Sequence, residues 1–152
     1  HAGAHAMDIL RMEKGYLHWG HDISPEENQY EAKLNFAISY KKKIDFIGKD
    51  ILLKEKEKKP KKILVTLSLK KSKPGFPLLL HDEPIYLDNK LIGRTTSANY
   101  SFNYKKNIVF GYINSKAILD KAIIEIEVEK TRYVAIIEHK PLHDSNNKLI
   151  KI

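Results

Sequence analysis

The chain has no cysteine. Disulfides and thiol chemistry are excluded, and its 152 residues must hold together by packing alone. That length suffices for one domain, or one small domain with an appendage, to bury a core without staples. Arginine is scarce: Arg11, Arg94 and Arg132 are the only three among 27 basic residues. Readers of nucleic acid lean on arginine for bidentate and stacking contacts, so this imbalance weighs against that class. No apolar run approaches the roughly 18 residues of a membrane-spanning helix. No secretory leader is visible, and a cytoplasmic protein is the expectation. Serines occur without a Gly-x-Ser-x-Gly elbow, and no glycine-rich phosphate loop is present. What the chain does have is lysine, giving a net charge of +8, a surface that attracts polyanionic ligands.

Residues 1–6, His-Ala-Gly-Ala-His-Ala, read as an expression-tag remnant ahead of Met7. Asp8 to Met12 reads as the last turns of a helix, with Gly15 placed to end it. Ser24-Pro25-Glu26-Glu27 has the composition of a helix start: a serine cap, proline at the first position, and glutamate at the capping-box position. Leu34 to Tyr40 alternates apolar and polar residues, which predicts a half-buried strand. Gly48 to Glu57 is expected to be a short helix.

The charged run Lys54 to Lys62, broken by Pro60, marks a boundary. Beyond it the apolar period becomes two. Ile63, Val65, Leu67 and Leu69 alternate with more polar neighbours, and Pro84–Leu87, the turn Asp88-Asn89 and Lys90–Thr95 predict a hairpin. Ile108–Ile113, Ala122–Glu129 and Tyr133–Glu138 add three strands, the last two joined by a tight turn around Lys130-Thr131-Arg132. So many short strands need closure to remove their edges, which implies a small barrel or sandwich. The fold class is therefore α+β: a mixed piece to about residue 57, then an antiparallel barrel.

Two stretches carry more than periodicity. Arg11-Met12-Glu13-Lys14-Gly15 with Gly20-His21-Asp22 resembles the "R-hydrophobic-E-x-G…G-x-D" segment of glycine-cleavage T-proteins (aminomethyltransferases), and Asp45-Phe46-Ile47-Gly48 with Leu52 resembles the "D-F-I-G-x-x-x-L" segment that follows it. Gly93-Arg94-Thr95-Thr96-Ser97 and Lys106-Asn107-Ile108-Val109-Phe110-Gly111-Tyr112 are similar to that family's barrel motifs, with Ala98 in place of a usual glycine. The wording around Glu13-Lys14-Gly15-Tyr16, with Pro141-Leu142-His143-Asp144 near the end, looks nearest to the sarcosine and dimethylglycine dehydrogenase group. The resemblance implies that residues 7–57 are the end of a folate-binding domain, 58–62 a linker, and 63–152 a C-terminal six-stranded β-barrel. It implies that an upstream half of the polypeptide carries the catalytic aspartate, so this stretch has no catalytic residue and is inactive alone. The implied activity of the whole is transfer of a formaldehyde-level carbon from an N-methyl or aminomethyl donor to tetrahydrofolate, with FAD only where an upstream flavin domain exists.

The resemblance also implies site residues. Glu13 falls where the family contacts the pterin, and a carboxylate can accept the pterin's two parallel N–H donors together. Taken without the motif, a glutamate near a helix end is more often solvated. Lys42, within Lys41-Lys42-Lys43, falls where the family pairs a basic residue with the folate's carboxylate tail. Lysine lacks arginine's rigid fork, and a solvated charge run is the competing reading. Tyr16 could flank a pterin or be core, and Trp19 is expected to be core. His18, His21 and Asp22 have loose metal-ligand spacing, as do His139, His143 and Asp144, but neither completes a pattern and no metal is expected. Two further readings stay open: a basic barrel binding nucleic acid through Tyr100, Phe102 and Tyr104, or a structural subunit-contact module.

Overall fold

The computed structural model describes residues 1–117 and 123–151. Its centre is a closed antiparallel barrel of six strands: β1 (Lys62–Leu69), β2 (Pro84–Leu87), β3 (Lys90–Ser101), β4 (Lys106–Asn114), β5 (Ile124–Val128) and β6 (Thr131–Glu138). Around the barrel the order is β1-β4-β3-β2-β5-β6, with β6 pairing back onto β1. The part of the expected fifth strand that falls on Ala122 lies outside the described residues.

The hairpin turns follow the local chemistry. Asp88 and Asn89 both take positive φ (47° and 65°), as do Glu129 and Lys130 (48° and 62°). Left-handed pairs of this kind match the twist of the strands they join, and Asp and Asn tolerate them best. Inside the barrel Val65, Leu67, Ile85, Val109, Ile113, Ile124 and Ile126 pack into one core. Leu64, Ile108, Phe110 and Tyr112 point the other way, into a second cluster outside the wall. A helix covers them, so β4 is buried on both faces and reads as a nearly unbroken apolar run.

That helix, α1 (Ala4–Lys14), begins inside the six residues read above as a tag remnant and lays Met12 into the outer cluster. Gly15 ends it at φ 80°, letting the Gly15 and Tyr16 N–H groups reach the Met12 and Arg11 carbonyls (3.1 and 2.8 Å). This is a Schellman closure, which favours glycine. The second helix, α2 (Lys49–Glu57), falls where expected.

Two expectations fail between the helices. Leu34–Tyr40 is not a strand: Asn35–Ala37 forms one 3-10 turn, and Phe36 is 81% exposed. Period two was present, but no neighbouring strand supplies hydrogen bonds, and a lone strand does not survive. Ser24–Glu27 makes the carboxylate half of its capping box, the Ser24 N–H and hydroxyl both donating to Glu27 Oε2 (3.0 and 2.6 Å), while the Ser24 hydroxyl oxygen accepts from the Glu26 N–H (3.1 Å), and no helix grows from it. One residue on, the Asn28 side chain accepts from the Tyr30 and Glu31 N–H groups (3.0 and 2.9 Å), diverting the donors that a helix would need.

Candidate functional site at the helix–barrel junction

Arg11 leaves the last turn of α1 and is held on every side. Its guanidinium pairs with Asp22, donates to Asp8 Oδ1 (2.8 Å) and to Ser97 Oγ (2.8 Å), and lies over the Phe110 ring. Asp22 is wholly buried and also accepts from the Thr96 hydroxyl (2.6 Å) and the His18 N–H (2.9 Å). The barrel's share of this arrangement comes from a β-bulge. Thr95 pairs with Gly111 and Ser97 with Phe110, leaving Thr96 as the extra residue of β3. An inserted residue re-aims side chains locally. Here adjacent residues, Thr96 and Ser97, serve the two halves of one ion pair.

Two residues further along α1, Glu13 is 3% exposed. Ser101 donates to its Oε1 (2.6 Å), and the Asn103 amide straddles both oxygens at 3.2 and 3.0 Å. Among the described residues no cation pairs with it. Next to it the C-terminal segment clasps the helix end. The His143 N–H donates to the Glu13 carbonyl (2.9 Å), and Lys14 Nζ reaches the Asp144 carboxylate (2.9 Å) and carbonyl (2.7 Å). The Lys14 hydrogen bond, reinforced by the Lys148 and Leu149 N–H groups, holds the Asp144 carboxyl below the usual carboxylate range. Burial pushes the Tyr112 hydroxyl up, aided by the charges of Glu27, Asp22 and Glu31, and it donates to the Asp22 carbonyl (2.9 Å).

Beside the junction opens a cavity of about 600 Å³ between α1, the bulged part of β3 and residues 78–81. Asp8, Arg11, His18, His21 and His81 give it polar walls, and Leu17 and Leu78–Leu80 apolar ones. A smaller hollow of about 400 Å³ lies under residues 37–46, with Lys42 on its wall beside Ile38, Phe46 and Leu52. Of these two hollows, the smaller is lined by Lys42 and neither by Glu13. Tyr16 is 54% exposed just past the end of α1. Trp19, expected in the core, is 64% exposed, because the turn from His18 to Ile23 is closed by its backbone and by Asp22 rather than by its ring.

The metal-like spacings resolve into other contacts. Asp22 is committed to Arg11 and Thr96, and Asp144 to Lys14, while the His18 and His21 rings pack edge to face at 4.4 Å. Among the described residues no group of three or more His, Cys, Asp or Glu could hold a metal. Tyr100 and Phe102 pack edge to face with each other at 5.1 Å. Sequence reasoning missed Arg11, Thr96 and Ser97 as partners. The one signal available was that Arg11, Asp22 and the Thr-Ser pair all sit in the motifs quoted above.

A closed six-stranded antiparallel barrel, with the helix α1 packed across its outer wall, defines the architectural class. The sequence model of the "Glycine cleavage T-protein C-terminal barrel domain" matches residues 62–144, and that of the "GCVT N-terminal domain" matches residues 1–42. The chain belongs to the glycine-cleavage T-protein family. It is 34% identical, over 99% of its length, to 4-methylaminobutanoate oxidase (formaldehyde-forming) of Paenarthrobacter nicotinovorans. To human mitochondrial dimethylglycine dehydrogenase it is 33% identical over 92% of its length, and to a Listeria welshimeri aminomethyltransferase 33% over 93%. It spans only 18%, 16% and 38% of those three proteins. The crystal structure of aminomethyltransferase T from Bartonella henselae superposes with a TM-score of 0.79 at 22% identity, covering 92% of this chain and 38% of that one, which establishes the shared fold. No helix among the described residues is long and apolar enough to cross a membrane.

Proposed function

We propose that this chain is the C-terminal part of a tetrahydrofolate-dependent one-carbon transfer enzyme, either an aminomethyltransferase or the folate region of a demethylating dehydrogenase. In that reading the carboxylate of Glu13 accepts the paired donors of the pterin edge, Tyr16 flanks the ring, and Lys42 faces the carboxylate tail. The folate, when bound, supplies the acceptor for a carbon at the formaldehyde oxidation level. The protein's own groups bind and orient it and exclude water, the usual route by which held geometry lowers a transfer barrier.

The observation that carries the reading is the setting of Glu13. It is a buried carboxylate gripped by neutral donors, Ser101 and Asn103, rather than by a cation. Such a group is suited to accept from another neutral donor pair of matching shape. Lys42, on the wall of the smaller hollow, suits the charged end of such a ligand.

The test is a fluorescence titration with 5-formyltetrahydrofolate, read at Trp19, the only tryptophan. The wild-type chain is expected to bind saturably. Glu13→Gln, which keeps the side-chain volume, is expected to weaken binding about ten-fold or more, the scale of one charge-assisted hydrogen bond. Equal affinity in the two proteins refutes the role of Glu13.

A further inference from the structure

Asn103 sits in the turn between β3 and β4 and is exposed, yet its amide caps a carboxylate that is itself 3% exposed. One nitrogen lies 3.2 and 3.0 Å from the two oxygens, so it occupies the bidentate position on Glu13. Ser101, by contrast, binds Oε1 alone, from the barrel wall, and is fully buried. A carboxylate has about four acceptor positions, and three are taken in this arrangement.

We propose that Asn103 is an affinity-determining gate over Glu13: its side-chain amide competes with the donor pair of a pterin edge and must swing outward for the ligand to dock. Ser101 is the positioning residue that keeps Glu13 oriented in both states. This rests on the reading of Glu13 above. The exposed turn allows the movement, since the Asn103 side chain has solvent on its far side, whereas Ser101 has nowhere to go. Because a competitor inside the protein lowers apparent affinity by the fraction of time it blocks the site, removing it has an unusual sign. Loss of a polar residue beside the ligand tightens binding.

The experiment is the same titration with 5-formyltetrahydrofolate on the wild type, Asn103→Ala, Asn103→Ser and Glu13→Gln, with thermal melts of each. The expectation is that Asn103→Ala binds several-fold tighter than wild type despite melting lower, and that Asn103→Ser falls between them. In the wild type, the Asn103 side-chain amide signals in a 1H–15N spectrum should move on ligand addition to the positions of a solvated asparagine. Binding by Asn103→Ala that is equal to or weaker than wild type, or Asn103 signals that stay put at saturation, overturns the gate. If Glu13→Gln still weakens binding in that case, the reading of Glu13 stands and only the gate falls. If Glu13→Gln binds as well as wild type, or no protein in the set binds, both fall.

Discussion

Removing Asp22 tests the junction most directly. Its side chain is 0% exposed and its partner Arg11 is 15% exposed, so this ion pair is screened little by solvent. Asp22→Ala would leave the guanidinium with Asp8, which is 33% exposed, and would strip the Thr96 hydroxyl and the His18 N–H of their acceptor. Breaking a buried pair from one side costs about 3–5 kcal/mol, because an uncompensated charge stays inside. Asp8→Ala removes only the half-exposed partner and should cost about 0–1 kcal/mol. The assay is urea unfolding followed by far-ultraviolet circular dichroism, with midpoints compared at constant slope. In thermal melts Asp22→Ala should fall by roughly 6–20 °C for a chain of this size. Adding Arg11→Met to Asp22→Ala should cost less than the sum of the two single changes, since the double variant no longer buries a lone charge. A loss below about 1 kcal/mol for Asp22→Ala, or one no larger than for Asp8→Ala, would refute the claim that this pair fastens α1 to the barrel.

Gly93→Ala should be among the most damaging single changes: an added Cβ would lie 1.9 Å from the Tyr112 carbonyl oxygen, where β3 and β4 are paired. Backbone cannot move aside as a side-chain tip does, so a loss of about 3 kcal/mol or more in urea unfolding is expected, and a variant as stable as wild type contradicts the close approach. Glu27 supplies a pH test. Burial alone would raise its pKa, but the Lys62 ammonium at 2.6 Å and the Ser24 donors outweigh that and bring it below the ordinary value. A lowered folded-state pKa gives stability that is present above the unfolded value and is lost as pH falls through the folded one. The melting-temperature gap between wild type and Glu27→Gln should therefore be full at neutral pH and shrink below about pH 4.5. A gap that stays constant down to about pH 2.5 counts against the Lys62 contact.

The barrel was largely legible before the structure because each signal was local. Period-two alternation from Ile63 onward and the Asp88-Asn89 turn need only near neighbours to be read. Leu34–Tyr40 carried the same period and failed, because strand formation depends on a partner that sequence does not name. The Arg11–Asp22 pair was out of reach for a related reason. In the sequence Asp22 sat in a loose spacing with His18 and His21 that completed no pattern; only the fold brought Arg11 and Thr96 onto it, across 11 and 74 residues of chain. The bulge at Thr96 leaves no trace in composition at all. Glu13 was singled out through its motif, but that its oxygens are met by Ser101 and Asn103 follows only from how β3 turns into β4.

The outer cluster joining Met12 to Leu64, Ile108, Phe110 and Tyr112 crosses the border between the two matched segments. The border is a matter of sequence, and the packing does not respect it. A barrel cut free at residues 58–62 would present those side chains to water as one contiguous apolar patch, the kind that makes proteins stick to one another. In descent, too, the segment ending near residue 42 and the barrel beginning at residue 62 make a poor pair of interchangeable parts. Either one, transplanted beside a foreign neighbour, would have to bring its half of the cluster's complementary shape along with it.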